Sequence, residues 1–166
     1  MMRRSILIGL VWLMLTGLAW AGPKPDYNGK WKLDFAKCEG VPQGMDQVMT
    51  ITHKGDDMTV VTKVYPAQDM LASVVNDSYA LGGQETKYVA QYGGEPGEGK
   101  RLAKWSNDGW GLDISEEAAI NTKQGVVKLV TSRKWMLSPD GKTITIEMTA
   151  KNPRGETKTK RVFVKV

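Results

Sequence analysis

Apolar residues recur at every second position over most of the chain after Trp31, and this alternation limits the fold more than any other feature. In the segment 144–148, for example, Ile144, Ile146 and Met148 alternate with Thr145 and Glu147. Period-two patterns are typical of strands that bury one face, whereas amphipathic helices repeat every three to four residues. Helical spacing is nearly absent, so the sequence predicts an all-β protein.

Turn sequences separate the predicted strands at short intervals. They combine Gly, Pro, Asn and Asp, which favour the backbone angles of tight turns. Such turns occur at 54–57, 82–83, 107–109, 123–125, 138–141 and 152–155. Regular turns between eight to ten strands predict an antiparallel up-and-down barrel, with a sandwich as the alternative.

Three segments depart from this pattern. Residues 41–47 are expected to form a loop, and residues 66–76 mix apolar and polar residues without a clear period. The segment Ser115–Ala119 could begin one helical turn, with the Ser115 hydroxyl as its cap. We expect irregular segments of this kind to line the mouth of a barrel.

The N-terminus has the three parts of a secretory signal peptide. Arg3 and Arg4 precede an apolar run from residue 6 to 18, and Ala19-Trp20-Ala21 suits signal peptidase. A retained membrane anchor is the alternative, but 13 apolar residues are short for a hydrocarbon layer of about 30 Å. We therefore expect cleavage after Ala21, one domain over residues 22–166, and a periplasmic or secreted protein that meets the membrane only through its signal peptide.

The charge balance argues against a nucleic-acid partner. The 166 residues include 23 Lys and Arg and 18 Asp and Glu; two of the basic residues lie in the predicted signal, which leaves a net charge of +3 for residues 22–166. The C-terminal hairpin is basic, with Lys158, Lys160 and Lys165. It could meet an anionic lipid or polysaccharide, or it could be a solvated edge that resists unwanted strand pairing.

The inventory for catalysis is thin. Cys38 and His53 are each the single residue of their type, so an internal disulfide or a zinc set of His and Cys cannot be assembled, and any nucleophile–histidine arrangement must use His53. His53 as a sole haem ligand is a weaker alternative, because a histidine at a strand end beside a turn is usually solvated. The Glu116–Glu117 pair is poorly placed for glycosidic chemistry, because adjacent strand residues point to opposite faces. The sequence predicts no enzyme, no metal and no cofactor.

A glycine-rich segment from Gly94 to Arg101 nearly matches a phosphate-binding loop. Arg101 stands where that loop needs a hydroxyl for magnesium, and two glutamates would repel phosphate. We expect a flexible hairpin loop here.

Both ends of the predicted domain resemble the calycins, the superfamily of lipocalins and fatty-acid-binding proteins. Gly29-Lys30-Trp31-Lys32-Leu33 resembles their first strand, which carries Gly-x-Trp, and the end of the chain from Arg161 to Val166 resembles the closing Arg-x-Tyr strand of fatty-acid-binding proteins. The Trp-Lys-Leu opening and the hairpin Ser138–Thr143 are similar to exported bacterial lipocalin-like proteins. The resemblance implies a lipocalin-like barrel.

Two departures from the fatty-acid-binding pattern concern the ligand. The Arg and Tyr of that family's last strand hold a ligand carboxylate, and this resemblance carries over to Arg161 but not fully to Phe163, which lacks a hydroxyl. The helix-turn-helix lid of that family is also missing between Cys38 and Gln47. Fatty-acid specificity is therefore not implied.

The role of Arg161 depends on the face to which it points. Arg161 and Phe163 share one strand face, and spacing alone does not decide whether that face is the interior. An inward Arg161 would anchor an anion. The alternatives are a surface position and, as in lipocalins, stacking on Trp31 so that Gly29, Trp31 and Arg161 close the barrel.

Aromatic residues supply further candidates for a ligand pocket, because their rings combine apolar area with a polar group. Besides Arg161 and Phe163, the candidates are Trp105, Trp110, Trp135, Tyr88 and Tyr92.

Taken with the resemblance, these features predict a binding module for a small apolar or amphipathic molecule. The alternative is an envelope protein that binds a protein partner, for instance a protease or lysozyme inhibitor, with a filled barrel and an active loop.

Overall fold

The computed structural model describes residues 24–66 and 72–166. These residues form ten strands and one short 3-10 turn at Phe35–Lys37. The strands are β1 (Gly29–Leu33), β2 (Asp46–Lys54), β3 (Asp57–Tyr65), β4 (Ser73–Ala80), β5 (Gly82–Tyr92), β6 (Glu95–Trp105), β7 (Gly111–Thr122), β8 (Gly125–Leu137), β9 (Thr143–Asn152) and β10 (Gly155–Lys165).

All ten strands belong to one antiparallel sheet in the order β4-β3-β2-β1-β10-β9-β8-β7-β6-β5. Chain neighbours pair as hairpins except β4 and β5, and β1 also pairs with β10. The sheet curls into a nearly closed barrel, in which β4 and β5 are the two free edges. The prediction of an all-β, antiparallel up-and-down barrel of eight to ten strands is confirmed.

The β1–β10 junction lies at the end of the barrel where β1 begins. Trp31 is fully buried there, and its indole Nε1 donates to the carbonyl oxygen of Tyr27 at 3.0 Å. The cation over the Trp31 ring is Lys165, whose Nζ lies 5.2 Å from the ring centroid. Gly29 has a φ of 135°, and a Cβ there would lie 2.7 Å from the Lys165 side chain. A side chain at Gly29 would therefore displace Lys165.

Buried apolar side chains form two clusters. The larger lies around Trp31, Leu112, Ile144 and Phe163, towards the end of the barrel where β1 begins, which we call the base. The smaller consists of Ala90, Ala118 and Ile120, with Tyr88, Tyr92 and Leu129 packed against it. Inward residues of β6 and β7 that lie between the clusters carry charge, as described below.

Two local expectations are corrected. Ser115–Ala119 is not a helical turn but part of β7, because Ile114, Glu116, Ala118 and Ile120 alternate as buried residues with exposed ones. The expected flexible loop at 94–101 is mostly strand: the turn is confined to Gly93 and Gly94, both with positive φ, and β6 begins at Glu95.

The irregular segment 66–76 is only partly described, and β4 occupies its end from Ser73. The predicted signal peptide, residues 1–21, lies outside the described residues. Within residues 24–66 and 72–166, no helix has the length and hydropathy needed to cross a membrane.

Candidate ligand-binding site

A cavity lies inside the barrel between the β2–β3–β4 wall and the β8–β9–β10 wall. The centre of a water molecule can reach about 170 Å³ of it. Its apolar lining includes Met49, Val60, Ile146, Met148 and Phe163. Its polar lining consists of Gln47, Thr62, Asp77, Tyr79, Arg133, Trp135, Thr159 and Arg161. The cavity combines an apolar lining with a few polar groups, as ligand pockets in barrels do.

The strand register places the polar groups of one wall in two adjacent rows. Arg161 on β10 pairs with Ile146 on β9, which pairs with Trp135 on β8. Two residues further along, Thr159 pairs with Met148, which pairs with Arg133. Neighbouring strands lie about 4.8 Å apart, so each row is about 10 Å wide. Arg161 and Arg133 therefore lie at diagonal corners of this patch.

The guanidinium of Arg161 has no acidic partner among the described residues, and its Nε lacks any hydrogen bond. Burial lowers the pKa of Arg161, and the neighbouring charge of Arg133 lowers that pKa further. Arginine stays charged in proteins even so. The cavity therefore contains a positive charge that lacks a counterion.

Unsatisfied polar atoms are concentrated at this cavity. Five buried side-chain nitrogen or oxygen atoms of the described residues have no hydrogen-bond partner, and four of them belong to cavity-lining residues. They are Gln47 Oε1, Trp135 Nε1, Thr159 Oγ1 and Arg161 Nε. Buried polar groups in proteins are nearly always hydrogen-bonded. These four atoms are suited to bind a polar occupant.

Arg133 is held by a carboxylate, unlike Arg161. Its Nη2 lies 3.0 Å from Glu116 Oε2, and its Nη1 donates to the Tyr79 hydroxyl at 3.3 Å. Burial raises the pKa of Tyr79, so its hydroxyl is neutral at ordinary pH. Glu116 is only 3% exposed and also accepts from Arg101 Nε at 2.6 Å. Glu116 thus joins two arginines.

Arg101 is almost fully enclosed and connects β6, the neighbour of the free edge strand β5, with the other free edge strand, β4. From β6 it donates to Asp77 Oδ1 at 2.6 Å and to the carbonyl oxygen of Ser78 at 3.0 Å, both on β4. Its guanidinium also lies over two tyrosine rings, 4.4 Å from the centroid of Tyr79 and 4.6 Å from that of Tyr88. Arg101 therefore bridges the gap that backbone pairing leaves open.

The charges of this region do not balance. Counting the cavity wall and the groups bonded to it, three guanidinium groups face two carboxylates, those of Asp77 and Glu116. Arg101 and Arg133 use both carboxylates, so the excess positive charge is that of Arg161. An uncompensated buried charge is costly unless a counterion reaches it. A bound anion would neutralise this region.

The candidates from the sequence separate into two groups. Arg161, Phe163 and Trp135 line the cavity. Of the candidates that do not line it, Trp105 lies at the barrel base, where its Nε1 donates to Asp56 Oδ1 at 3.1 Å, and Trp110 is 56% exposed in the β6–β7 turn. Tyr88 packs against Arg101, and Tyr92 belongs to the smaller apolar cluster.

Of the three residues predicted to close the barrel, Gly29 and Trp31 lie at its base, where Lys165 is the cation over the Trp31 ring, whereas Arg161 lines the cavity. Trp31 on β1 lies opposite Lys165 on β10, and Arg161 lies further along β10. Arg161 and Trp31 therefore lie at different heights of the same wall.

Gln47, Arg133, Thr159 and the Arg101–Asp77 contact were not identified from the sequence. A weak signal existed for Gln47, because it shares the phase of Met49 and Ile51 on β2 and is buried with them. The sequence instead predicts a loop at Gln47, where the structure has the second residue of β2.

The other chemistry-bearing residues lie outside the cavity lining. His53 Nε2 is 2.9 Å from the carbonyl oxygen of Gly55 in the β2–β3 turn. The Cys38 thiol donates to the Asp34 carbonyl at 3.2 Å and accepts from the Val162 amide at 3.4 Å. Among the described residues, no group of three or more His, Cys, Asp or Glu could hold a metal ion.

No protein-family model matches the chain, and no curated protein sequence matches it. Solved structures do match. Zebrafish ileal bile acid-binding protein complexed with cholic acid has a TM-score of 0.52 and 20% identity, covering 84% of this chain and 98% of its own. Secretory abundant heat soluble protein 4 from Ramazzottius varieornatus has a TM-score of 0.48 and 16% identity, covering 87% and 96%.

The fatty-acid-binding protein of Manduca sexta is a third match, with a TM-score of 0.44 and 13% identity, covering 84% of this chain and 99% of its own. The match to the zebrafish protein shows the fold alone. This chain has a nearly closed, ten-stranded antiparallel barrel that is similar in fold to the zebrafish protein.

Proposed function

We propose that this protein is an exported binding module that holds a short amphipathic anion in its barrel. The observation that carries the proposal is Arg161, a half-buried residue whose buried Nε has no hydrogen-bond partner and which lines the cavity without a carboxylate partner. Guanidinium groups bind carboxylates through two parallel hydrogen bonds, which gives both affinity and orientation. The anionic head would bind beside Arg161.

The surrounding groups suit the rest of such a molecule. Trp135 Nε1 and Thr159 Oγ1 are free donors near Arg161, and the walls beside them are apolar. Burial of apolar surface contributes roughly 25 cal/mol per Å². The cavity of about 170 Å³ is below the common range of ligand pockets, which favours a short chain.

The structural match is consistent with this proposal, because the zebrafish neighbour is named for bile acid binding and holds cholic acid, an amphipathic anion. A space for a ligand also favours a carrier over the alternative of a protein-binding module with a filled barrel. We further propose a location in the periplasm or outside the cell, which the predicted signal peptide favours. That localisation predicts a mature protein that begins at Gly22, which mass spectrometry of envelope fractions would detect.

Isothermal titration calorimetry with decanoate and 1-decanol tests the proposal, because the two molecules differ mainly in the carboxylate. We expect decanoate to bind more tightly at pH 7.5. The variant Arg161→Gln should weaken decanoate binding by about 10- to 100-fold, since hydrogen bonds to charged groups are worth about 1.5–3 kcal/mol. Arg161→Lys keeps the charge without the planar fork and should give an intermediate loss.

Lys128→Gln is the matched control, because it removes one positive charge from an exposed position on β8. It should bind decanoate as the wild type does. Equal binding of decanoate and decanol, or an Arg161→Gln variant that keeps full affinity, would overturn the proposal.

A further inference from the structure

Gln47 is a second residue of the cavity lining with a polar atom that lacks a hydrogen-bond partner. This atom needs a donor, whereas Arg161 needs an acceptor. The side chain is 3% exposed, and its Oε1 has no hydrogen-bond donor. Arg161, Trp135 and Thr159 can all donate to an acceptor, whereas Gln47 Oε1 can only accept. An occupant that satisfies both must carry an acceptor and a donor.

The orientation of the Gln47 amide is set by its neighbour. Its Nε2 donates to Met45 Sδ at 3.3 Å, which leaves Oε1 as the atom without a partner. The opposite orientation would set two acceptors, the oxygen and the sulfur, against each other. The cavity therefore presents an amide oxygen at this position.

The register places Gln47 within reach of a head group bound at Arg161. Only β1 lies between β2 and β10 in the sheet. Val48 pairs with Lys32, which places Gln47 level with Leu33, and Leu33 pairs with Phe163, two residues from Arg161. Two strand spacings amount to about 10 Å, and two residues along a strand to about 7 Å. Since both side chains are long, a small head group can contact both.

We propose that Gln47 selects amphipathic anions whose head carries a hydrogen-bond donor, a hydroxyl or an amide N–H, close to the carboxylate. The inference rests on the proposed function, since Arg161 is the anion anchor. A plain carboxylate would bind Arg161 but leave the Gln47 oxygen buried without a donor. A site built for hydrogen bonding rejects a ligand that lacks the matching group, because its own polar atoms then stay unpaired.

Calorimetry with decanoate and 3-hydroxydecanoate at pH 7.5 tests this inference. The wild type should bind the hydroxylated acid about tenfold more tightly. Gln47→Leu, which removes the acceptor with little change in volume, should bind the two acids equally. Thr50→Val is the matched control, because it also replaces a polar side chain on β2 by an apolar one but at an exposed position. It should retain the tenfold preference.

The outcomes separate this inference from the proposed function. If the wild type binds both acids equally, or if the preference persists in Gln47→Leu, the role of Gln47 is overturned and the anion carrier stands. If neither acid binds, the carrier falls and the inference falls with it. Thermal unfolding of Gln47→Leu with and without 3-hydroxydecanoate shows whether the variant is folded during the titration.

Discussion

Arg101 and Arg161 both lie inside the barrel, but they differ in their hydrogen-bond and ion-pair partners. Arg101 contacts two carboxylates, one carbonyl oxygen and two tyrosine rings. Arg161 is also largely buried, yet its Nε has no partner and it forms no ion pair among the described residues. The gap between β4 and β5 is thus filled by side chains that are hydrogen-bonded to one another, while the opposite wall holds buried polar atoms without hydrogen-bond partners.

The difference distinguishes structural from binding roles. A buried charge with all its partners stabilises the arrangement that holds them, and removing one member leaves the others uncompensated. A buried charge without partners destabilises the fold and is retained only where something else gains from it. We infer that Arg101 holds the barrel together and that Arg161 serves the ligand, and three substitutions test this contrast.

The largest effect is expected for Arg101→Met. The substitution leaves Asp77 and Glu116 without their shared cation and removes the bridge between β4 and β6. Breaking a buried pair in this way typically costs about 3–5 kcal/mol. The free energy of unfolding, measured with urea, should fall by that amount.

Lys100→Met is the control for Arg101→Met, since Lys100 is the next residue on β6 and points outward. Its ion pair with Glu85 is exposed, so its loss should cost less than about 1 kcal/mol. Equal effects of the two substitutions would mean that the Arg101 network does not hold the gap.

An intermediate effect is expected for Gly99→Ala. A methyl group at Gly99 would overlap the ring of Tyr88 and approach the carbonyl oxygen of Glu117 at 3.0 Å. The ring would have to leave its place over Arg101, and overpacking of this kind costs about 1–3 kcal/mol. Urea unfolding of the single variant and of the double variant Gly99→Ala, Tyr88→Leu measures it. If the overlap is the cause, the two costs should be less than additive.

The smallest effect, and one of opposite tendency, is expected for Arg161→Met. The substitution removes a desolvated cation that has no acidic partner, so the free energy of unfolding should stay within about 1 kcal/mol of the wild type or rise. Chemical unfolding without ligand is the measurement. A loss as large as that of Arg101→Met would show that Arg161 is a structural residue, contrary to the contrast drawn above.

The barrel could be predicted from the sequence because the patterns that indicate strands and turns are local. Alternation marks each strand, and turn residues mark each hairpin, as at Ser138–Gly141 between β8 and β9. The same alternation placed Arg161 and Phe163 on one face, and the resemblance of that strand pointed to an anion. The structure adds that this face is the interior.

The rest of the site could not be predicted because it depends on contacts between distant strands. Arg101 meets Asp77 only because the two free edges of the sheet approach each other, and no local pattern encodes that approach. Arg101 also lies in a glycine-rich segment that suggested a loop. Trp110, whose aromatic ring suggested a pocket, lies on the turn that follows Asn107, where it is exposed and outside the cavity lining.

The pairing of β1 with β10 also has a consequence for how the protein acquires its shape during synthesis. Most strands pair with a chain neighbour and can form hairpins as they appear; β1 too can pair with β2, but its other edge has to wait for β10. Contacts between such distant segments slow folding. The wall that carries Arg161 is completed in the same step. A nascent chain that has not yet released its final strand therefore has neither a closed barrel nor a place for a ligand.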